Sequence, residues 1–208
     1  MTSSSRGGTK EQGVFEELIV WRRLDQPGHD AARIVFHRPF WQLTGNAVFS
    51  HEGQPCRLDY LVVCDDGWRT SHARIVGWVA DRRVRYELWA DAERRWRVNG
   101  TSHPEVNGCV DLDLAFTPAT NSIPIRRLGL ALGQEAEVRA AWLGFPDFGL
   151  EPLEQVYRRS GDGTYRYETS DGSFVTDLEV SPSGMVVRYP GRWEMESISC
   201  QNVSTASP

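Results

Sequence analysis

Apolar and polar positions alternate along most of this 208-residue chain with a period of two, the spacing of a strand whose successive side chains point to opposite faces. VFEELIVW at 14–21 opens the series, a short apolar strand follows at 32–36, and a third runs over 41–49 past Gly45, where a bulge or bend is expected. In RLDYLVVCD at 57–65, Leu58, Tyr60, Val62 and Cys64 alternate with Asp59, Leu61, Val63 and Asp65. Asp66-Gly67 is a hairpin turn, after which Trp68, Thr70, His72, Arg74, Val76 and Trp78 are expected to share one face. Val84, Tyr86, Leu88 and Ala90 form the next apolar face, and Trp96 and Val98 precede an Asn99-Gly100 turn. The same reading gives strands at 136–142, at Tyr165 and Tyr167, at 174–180 and at 185–189, each after a glycine-containing turn or polar break. Turns about every ten residues predict an all-β fold, a sandwich or a barrel, with at most short helical turns. No internal repeat or interdomain linker interrupts it. A single domain over 13–200 is expected, with a Ser/Gly-rich tail at 1–12 and a polar tail at 201–208.

One stretch carries most of the candidate chemistry: VDLDLAFTPATNSIPIRRL at 110–128. Val110, Leu112 and Leu114 alternate with Asp111 and Asp113, which predicts a strand with one aliphatic and one acidic face. Thr117-Pro118 begins a turn, Asn121 or Ser122 is placed to cap a short helical turn, and Pro124 is tolerated in its first turn. Arg126 and Arg127 leave that turn on different sides, because neighbours i and i+1 diverge on a helix; Arg126 is assigned the internal role and Arg127 a cavity or the solvent. Paired carboxylates two residues apart suit glycoside hydrolysis or, as Asp-x-Asp, a divalent metal. They also suit hydrogen bonding to a polar ligand and, before either of these, ion pairing with the two arginines, since buried carboxylates are generally paired. Thr117, Thr120, Asn121 and Ser122 either fix the turn through their own backbone or present donors to an oxygen-rich head group. Elsewhere, Trp68-Arg69 pairs an aromatic ring with a guanidinium as a sugar site would, and Tyr157, Tyr165 and Tyr167 can hold rings in a core with hydroxyls at its rim. His29, between Gly28 and Asp30, has no identifiable nucleophile beside it.

GCVDLDLAFTPATNSIPIRRL resembles the signature of the bacterial putative glycolipid-binding family, formerly a domain of unknown function. The resemblance extends to Trp21, Gly28-His29-Asp30, Trp68-Arg69-Thr70, the fPdFgLEPLEQvYrR segment ending at Tyr157, YRYE at 165–168 and Tyr189-Pro190. Asp30 stands in place of a glutamate, Ala119 in place of a larger apolar residue and Ser122 in place of a threonine, and the match is poorest after Pro190. The resemblance implies a strongly curved antiparallel sheet, barrel-like or half-barrel, similar to the lipid carriers of bacterial lipoprotein transport.

Composition narrows the function. Net charge is −5, and there is no long like-charge block, so nucleic acid is not an expected partner. Lys10 is the sole lysine among the cations, and arginine forks suit carboxylates and phosphates. P-loop, dinucleotide-binding, H-E-x-x-H and G-x-S-x-G signatures are absent, and no cofactor or metal is expected. The four cysteines, Cys56, Cys64, Cys109 and Cys200, have no metal-ligand spacing. Without a secretory signal or a transmembrane stretch, the expected setting is cytoplasmic, with free thiols. The expected function, which rests on the family resemblance, is binding of an amphiphile of the glycolipid kind in or beside a curved-sheet cavity. Aliphatic strand faces would hold the acyl part, and Trp68, Arg69, Asp111, Asp113, Thr117, Asn121, Arg126, Arg127, Tyr157, Tyr165 and Tyr167 the polar part. The alternatives are a hydrolase of a sugar or lipid ester with Asp111 and Asp113 as acid and base, and a structural or interaction module without a small ligand.

Overall fold

The computed structural model describes residues 14–203. Its strands are β1 (Val14–Arg23), β2 (Gly28–His37), β3 (Phe40–His51), β4 (Gln54–Cys64), β5 (Thr70–Val79), β6 (Arg82–Ala90), β7 (Trp96–Val98) and β8 (Thr101–Ser102). They continue with β9 (Asp111–Leu114), β10 (Glu135–Leu143), β11 (Leu150–Gly161), β12 (Thr164–Thr169), β13 (Val175–Val180), β14 (Val186–Tyr189) and β15 (Trp193–Val203). One short helix, α1 (Ser122–Leu128), is entered through a 3-10 turn at Ala119–Asn121. The fold is all-β, as the alternation predicts. All strands lie in one sheet, ordered β8-β7-β6-β5-β4-β3-β2-β1-β15-β14-β13-β12-β11-β10-β9.

From β1 to β8 and again from β10 to β15 each strand turns back on the next, and β1 and β15 meet in mid-sheet, Leu18 opposite Ser199. The β9–β10 pair is parallel, with Asp111 opposite Ala140 and Asp113 opposite Trp142. A parallel pair needs a crossover, and the 3-10 turn and α1 supply it. The sheet is not closed by strand pairing; a latch brings β9 against the start of β5 instead. The Thr70 N–H donates to the Val110 carbonyl at 3.1 Å, and Thr70 Oγ1 accepts from the Leu112 N–H at 3.1 Å. The Arg94 guanidinium donates to the Thr70 carbonyl at 2.7 and 2.8 Å. Leu112, Leu114, Phe116 and Ile123 thereby enter the same core as Leu58 and Val62 of β4, Ile75 of β5 and Leu88 of β6. The motif plugs the concave side of the sheet.

That plug corrects one expectation. The aliphatic faces assigned to an acyl chain are packed against each other, and Leu112 and Leu114 are fully buried. The expected bulge at Gly45 is also absent: β3 pairs with β4 without a break there, Gly45 opposite Tyr60. A Cβ at Gly45 would overlap the Tyr60 ring, so this glycine makes room for an aromatic side chain. Trp68 does not share a face with Arg74 and Trp78. It sits in the turn at φ 63°, and the register slips between Val63 and Cys64, after which Ala73 and Ile75 point inward and Arg74 and Trp78 outward.

β11 and β15 are strands that the alternation did not reveal, and β15 extends through 201–203, into the segment read as a tail. The tail expected at 1–12 lies outside the described residues. Cys56, Cys64 and Cys109 are buried free thiols, and Cys200 is an exposed one. Among the described residues, no helix is long and apolar enough to cross a membrane.

Candidate functional site

Strand β9 holds its two carboxylates in different surroundings. Asp111 is buried and takes a bidentate ion pair from Arg127, Nε to Oδ1 at 2.9 Å and Nη2 to Oδ2 at 2.6 Å. Burial pushes its pKa up, and the guanidinium of Arg127 only partly offsets that. Asp113, two residues on, has no cation within ion-pairing distance among the described residues. It accepts from Gln155 Nε2 at 2.7 Å and from the Thr120 hydroxyl at 3.3 Å, and burial raises its pKa as well. The acid/base pair of the hydrolase reading therefore loses one member, because Asp111 is committed to Arg127. Arg127 is an internal ion-pair partner, which corrects its assignment to cavity or solvent.

Asp113 lines a cleft of about 210 Å³ at the entry to α1, together with Thr117, Asn121, Trp142, Tyr167 and Arg192. The rings of Phe174 and Tyr189 complete its wall. Arg192 lies over both, 4.9 Å from the Phe174 centroid and 5.8 Å from that of Tyr189. Asn121 does not cap the helix. Its Nδ2 donates to the Tyr157 hydroxyl at 3.0 Å, and the 3-10 turn runs straight into α1 without a side-chain cap. Tyr157 is fully buried behind the cleft, edge-on to Tyr167 at 5.1 Å between centroids. The cleft thus combines a carboxylate and a guanidinium, neither with an opposite charge within ion-pairing distance among the described residues, with amide and hydroxyl groups and flat rings. Such a set can meet the hydroxyls of a polyol from one side and its C–H face from the other.

Thr117 ties the cleft to the centre of the sheet. Its hydroxyl donates to Asp30 Oδ2, which also accepts from the Tyr60 hydroxyl at 2.9 Å. Asp30 is completely buried, and burial raises its pKa to about 6 against the pull of these two hydrogen bonds. Asp30 enters the sequence analysis only beside His29 and in the family resemblance, although it shares strand parity with the inward-facing Ala32 and Ile34 of β2. Gln155 was missed too, and its signal is similar: it lies two residues before the buried Tyr157.

The other expected residues are dispersed. Arg126 has the internal role assigned to it, reaching across to Glu17 with Nη2 to Oε2 at 2.6 Å. With Tyr165 it lines a second cleft, at the far end of α1. Trp68 and Arg69 line neither cleft. Trp68 is packed between Trp41, 4.3 Å away and stacked, and the guanidinium of Arg126 at 4.9 Å. Arg69 is exposed, and its backbone N–H completes the Asp65 turn at 2.8 Å. His29, also exposed, faces Glu196 at 3.2 Å. No group of three or more His, Cys, Asp or Glu is placed to hold a metal among the described residues.

Compared with known proteins, the chain matches over residues 18–195 the family model described as putative glycolipid-binding. No curated protein matches it. Among solved structures it is similar to a DUF1089 family protein from Pseudomonas aeruginosa, 29% identical, with a TM-score of 0.69 over 93% of this chain and 98% of that one. A beta-barrel-like protein of the DUF1849 domain of unknown function from Brucella abortus superposes with a TM-score of 0.53 over 92% of this chain and 99% of that one. Its identity is 6%, so the likeness is one of fold alone. The model match spans nearly all of the described chain and contains β9, α1 and both clefts, and on that match the chain belongs to the putative glycolipid-binding family.

Proposed function

We propose that the chain binds an amphiphile with a sugar head group, and that the cleft beside Asp113 takes the sugar. One observation carries this reading. Asp113 is a carboxylate held only by neutral donors, at the wall of a cleft whose other walls are aromatic rings, Asn121 and Arg192. A carboxylate kept for structure alone would be better served by a cation, as Asp111 is by Arg127. At about 210 Å³ the cleft suits one sugar ring and is too small for an acyl chain. Because the concave interior is filled by the core, the acyl part stays outside the sheet, at the mouth of the cleft.

The test is calorimetric titration, below the micelle concentration, with an alkyl glycoside and with a sugar-free non-ionic detergent of the same chain length. The expected result is saturable binding of the glycoside alone, weakened about tenfold or more in Asp113→Asn, as for the loss of one charge-assisted hydrogen bond. Equal binding of the two detergents, or an unaffected Asp113→Asn, contradicts the reading.

A further inference from the structure

A cleft of about 570 Å³ opens at the C-terminal end of α1, between the β11–β12 turn and the β13–β14 turn. Two arginines line it, one from α1 and one from β11. The Arg126 side chain is 8% exposed and that of Arg159 33%. Each leaves its Nε–H buried without a hydrogen-bond partner. Buried guanidinium donors are normally satisfied, so two orphans on side chains that line one cleft point to a missing acceptor. The remaining donors do not fill that need. Arg126 Nη2 is engaged by Glu17, and Arg159 Nη1 donates to the Leu130 carbonyl at 3.1 Å. Glu17, buried beside Arg126, offsets its charge. Asp162 stands 3.4 Å from Arg159 on a fully exposed side chain, where water screens it. The charge of Arg159 is thus left largely uncompensated.

Gly184 keeps the approach open. A Cβ there would come within 3.1 Å of Arg126 Cγ and 3.6 Å of its Nε. Tyr165 contributes a polar ring to the same wall. We propose that this cleft is a phosphate site, gripped by Arg159 and Arg126. Two guanidinium groups converging from different elements suit a tetrahedral anion, whose oxygens point in several directions, better than a carboxylate, which presents one edge. The site goes beyond the sugar cleft at the other end of the helix and does not depend on it. Tyr165 and Tyr167, two apart on β12, place one ring in each cleft.

The phosphate can be free or part of a lipid head group, and two arms distinguish these sources. Calorimetry with inorganic phosphate and glycerol 3-phosphate reads the first. Flotation with phosphatidylcholine vesicles, with and without phosphatidic acid, reads the second. Saturable binding in either arm, weakened about tenfold in Arg159→Gln while alkyl-glycoside binding is unchanged, supports the site and identifies the source. Arg159→Lys, which keeps the charge without the fork, replaces Arg159→Gln if the latter loses its native circular dichroism. Absence of saturable binding in both arms, or equal binding by wild type and variant, overturns the proposal.

Discussion

Asp111 faces the Arg127 guanidinium on both oxygens, whereas Asp113 faces an amide and a hydroxyl. Opposite responses to the same substitution follow. Asp111→Asn strands a guanidinium that is mostly enclosed, and chemical denaturation is expected to show a loss of about 3 kcal/mol, the low end for a broken buried pair, because Arg127 can turn toward water. Asp113→Asn keeps one acceptor, which Gln155 can use, and turns its NH2 toward the Thr120 hydroxyl, which can accept as well as donate; stability is expected to change by under ~1 kcal/mol, and a larger loss than for Asp111→Asn would invert this assignment. Asp30 makes a third case. Its folded pKa, about 6, lies above its ordinary 3.8, so the folded state holds the proton more tightly than the unfolded chain. Below 3.8 both states are protonated and there is no penalty. The penalty grows as pH rises through the interval and is complete above 6, at about 3 kcal/mol. Asparagine at this position still has an acceptor for Tyr60 or Thr117 and carries no charge. Urea unfolding should therefore show the stability advantage of Asp30→Asn over wild type growing by about 2.5 kcal/mol between pH 4, where the penalty has begun, and pH 7.5. An advantage that does not vary with pH would mean that the Asp30 carboxyl does not titrate as described.

At the scale of elements, the latch between β5 and β9 replaces the ladder that would close a barrel. Thr70→Val keeps the shape of the side chain but removes the acceptor for the buried Leu112 N–H. Unfolding is expected to cost about 1–3 kcal/mol less than in wild type, and amide exchange at Leu112 should accelerate more than at Ile75 in the middle of β5. Equal acceleration at both sites would show that the latch is not a local fastening. The strands with a clean alternation, β4 and β6 above all, were legible in the sequence because one face is apolar and buried. β11 was not, because its inward face carries Gln155 and Arg159 beside Tyr157, and polar residues turned inward erase the pattern. The turn of face after Thr70 was hidden as well, since a register slip leaves no mark in composition. The motif 110–128 was legible as the densest polar stretch. Its partition was not: that Arg127 would take Asp111 and Gln155 would take Asp113 depends on the parallel crossover, which lays β9 along β10 with β11 as the next strand.

At the scale of the whole molecule, a curved sheet is plugged by its own central segment, and two polar clefts lie at the two ends of one short helix. The interior serves stability. The proposed polar recognition lies at the margins of the plug, where Asp113 and Arg192 line one cleft and Arg126 and Arg159 the other. The family's description, putative glycolipid-binding, suggests the ligand class, and the residues proposed to read it line the cleft beside Asp113. The most direct measurement is native mass spectrometry of wild type and Asp113→Asn, expressed in parallel and purified without detergent. The account predicts a wild-type adduct that fragments to a sugar-bearing amphiphile, with its occupancy in Asp113→Asn lower by about tenfold or more. Unadducted wild-type protein, or an adduct of equal occupancy in the two proteins, would contradict it.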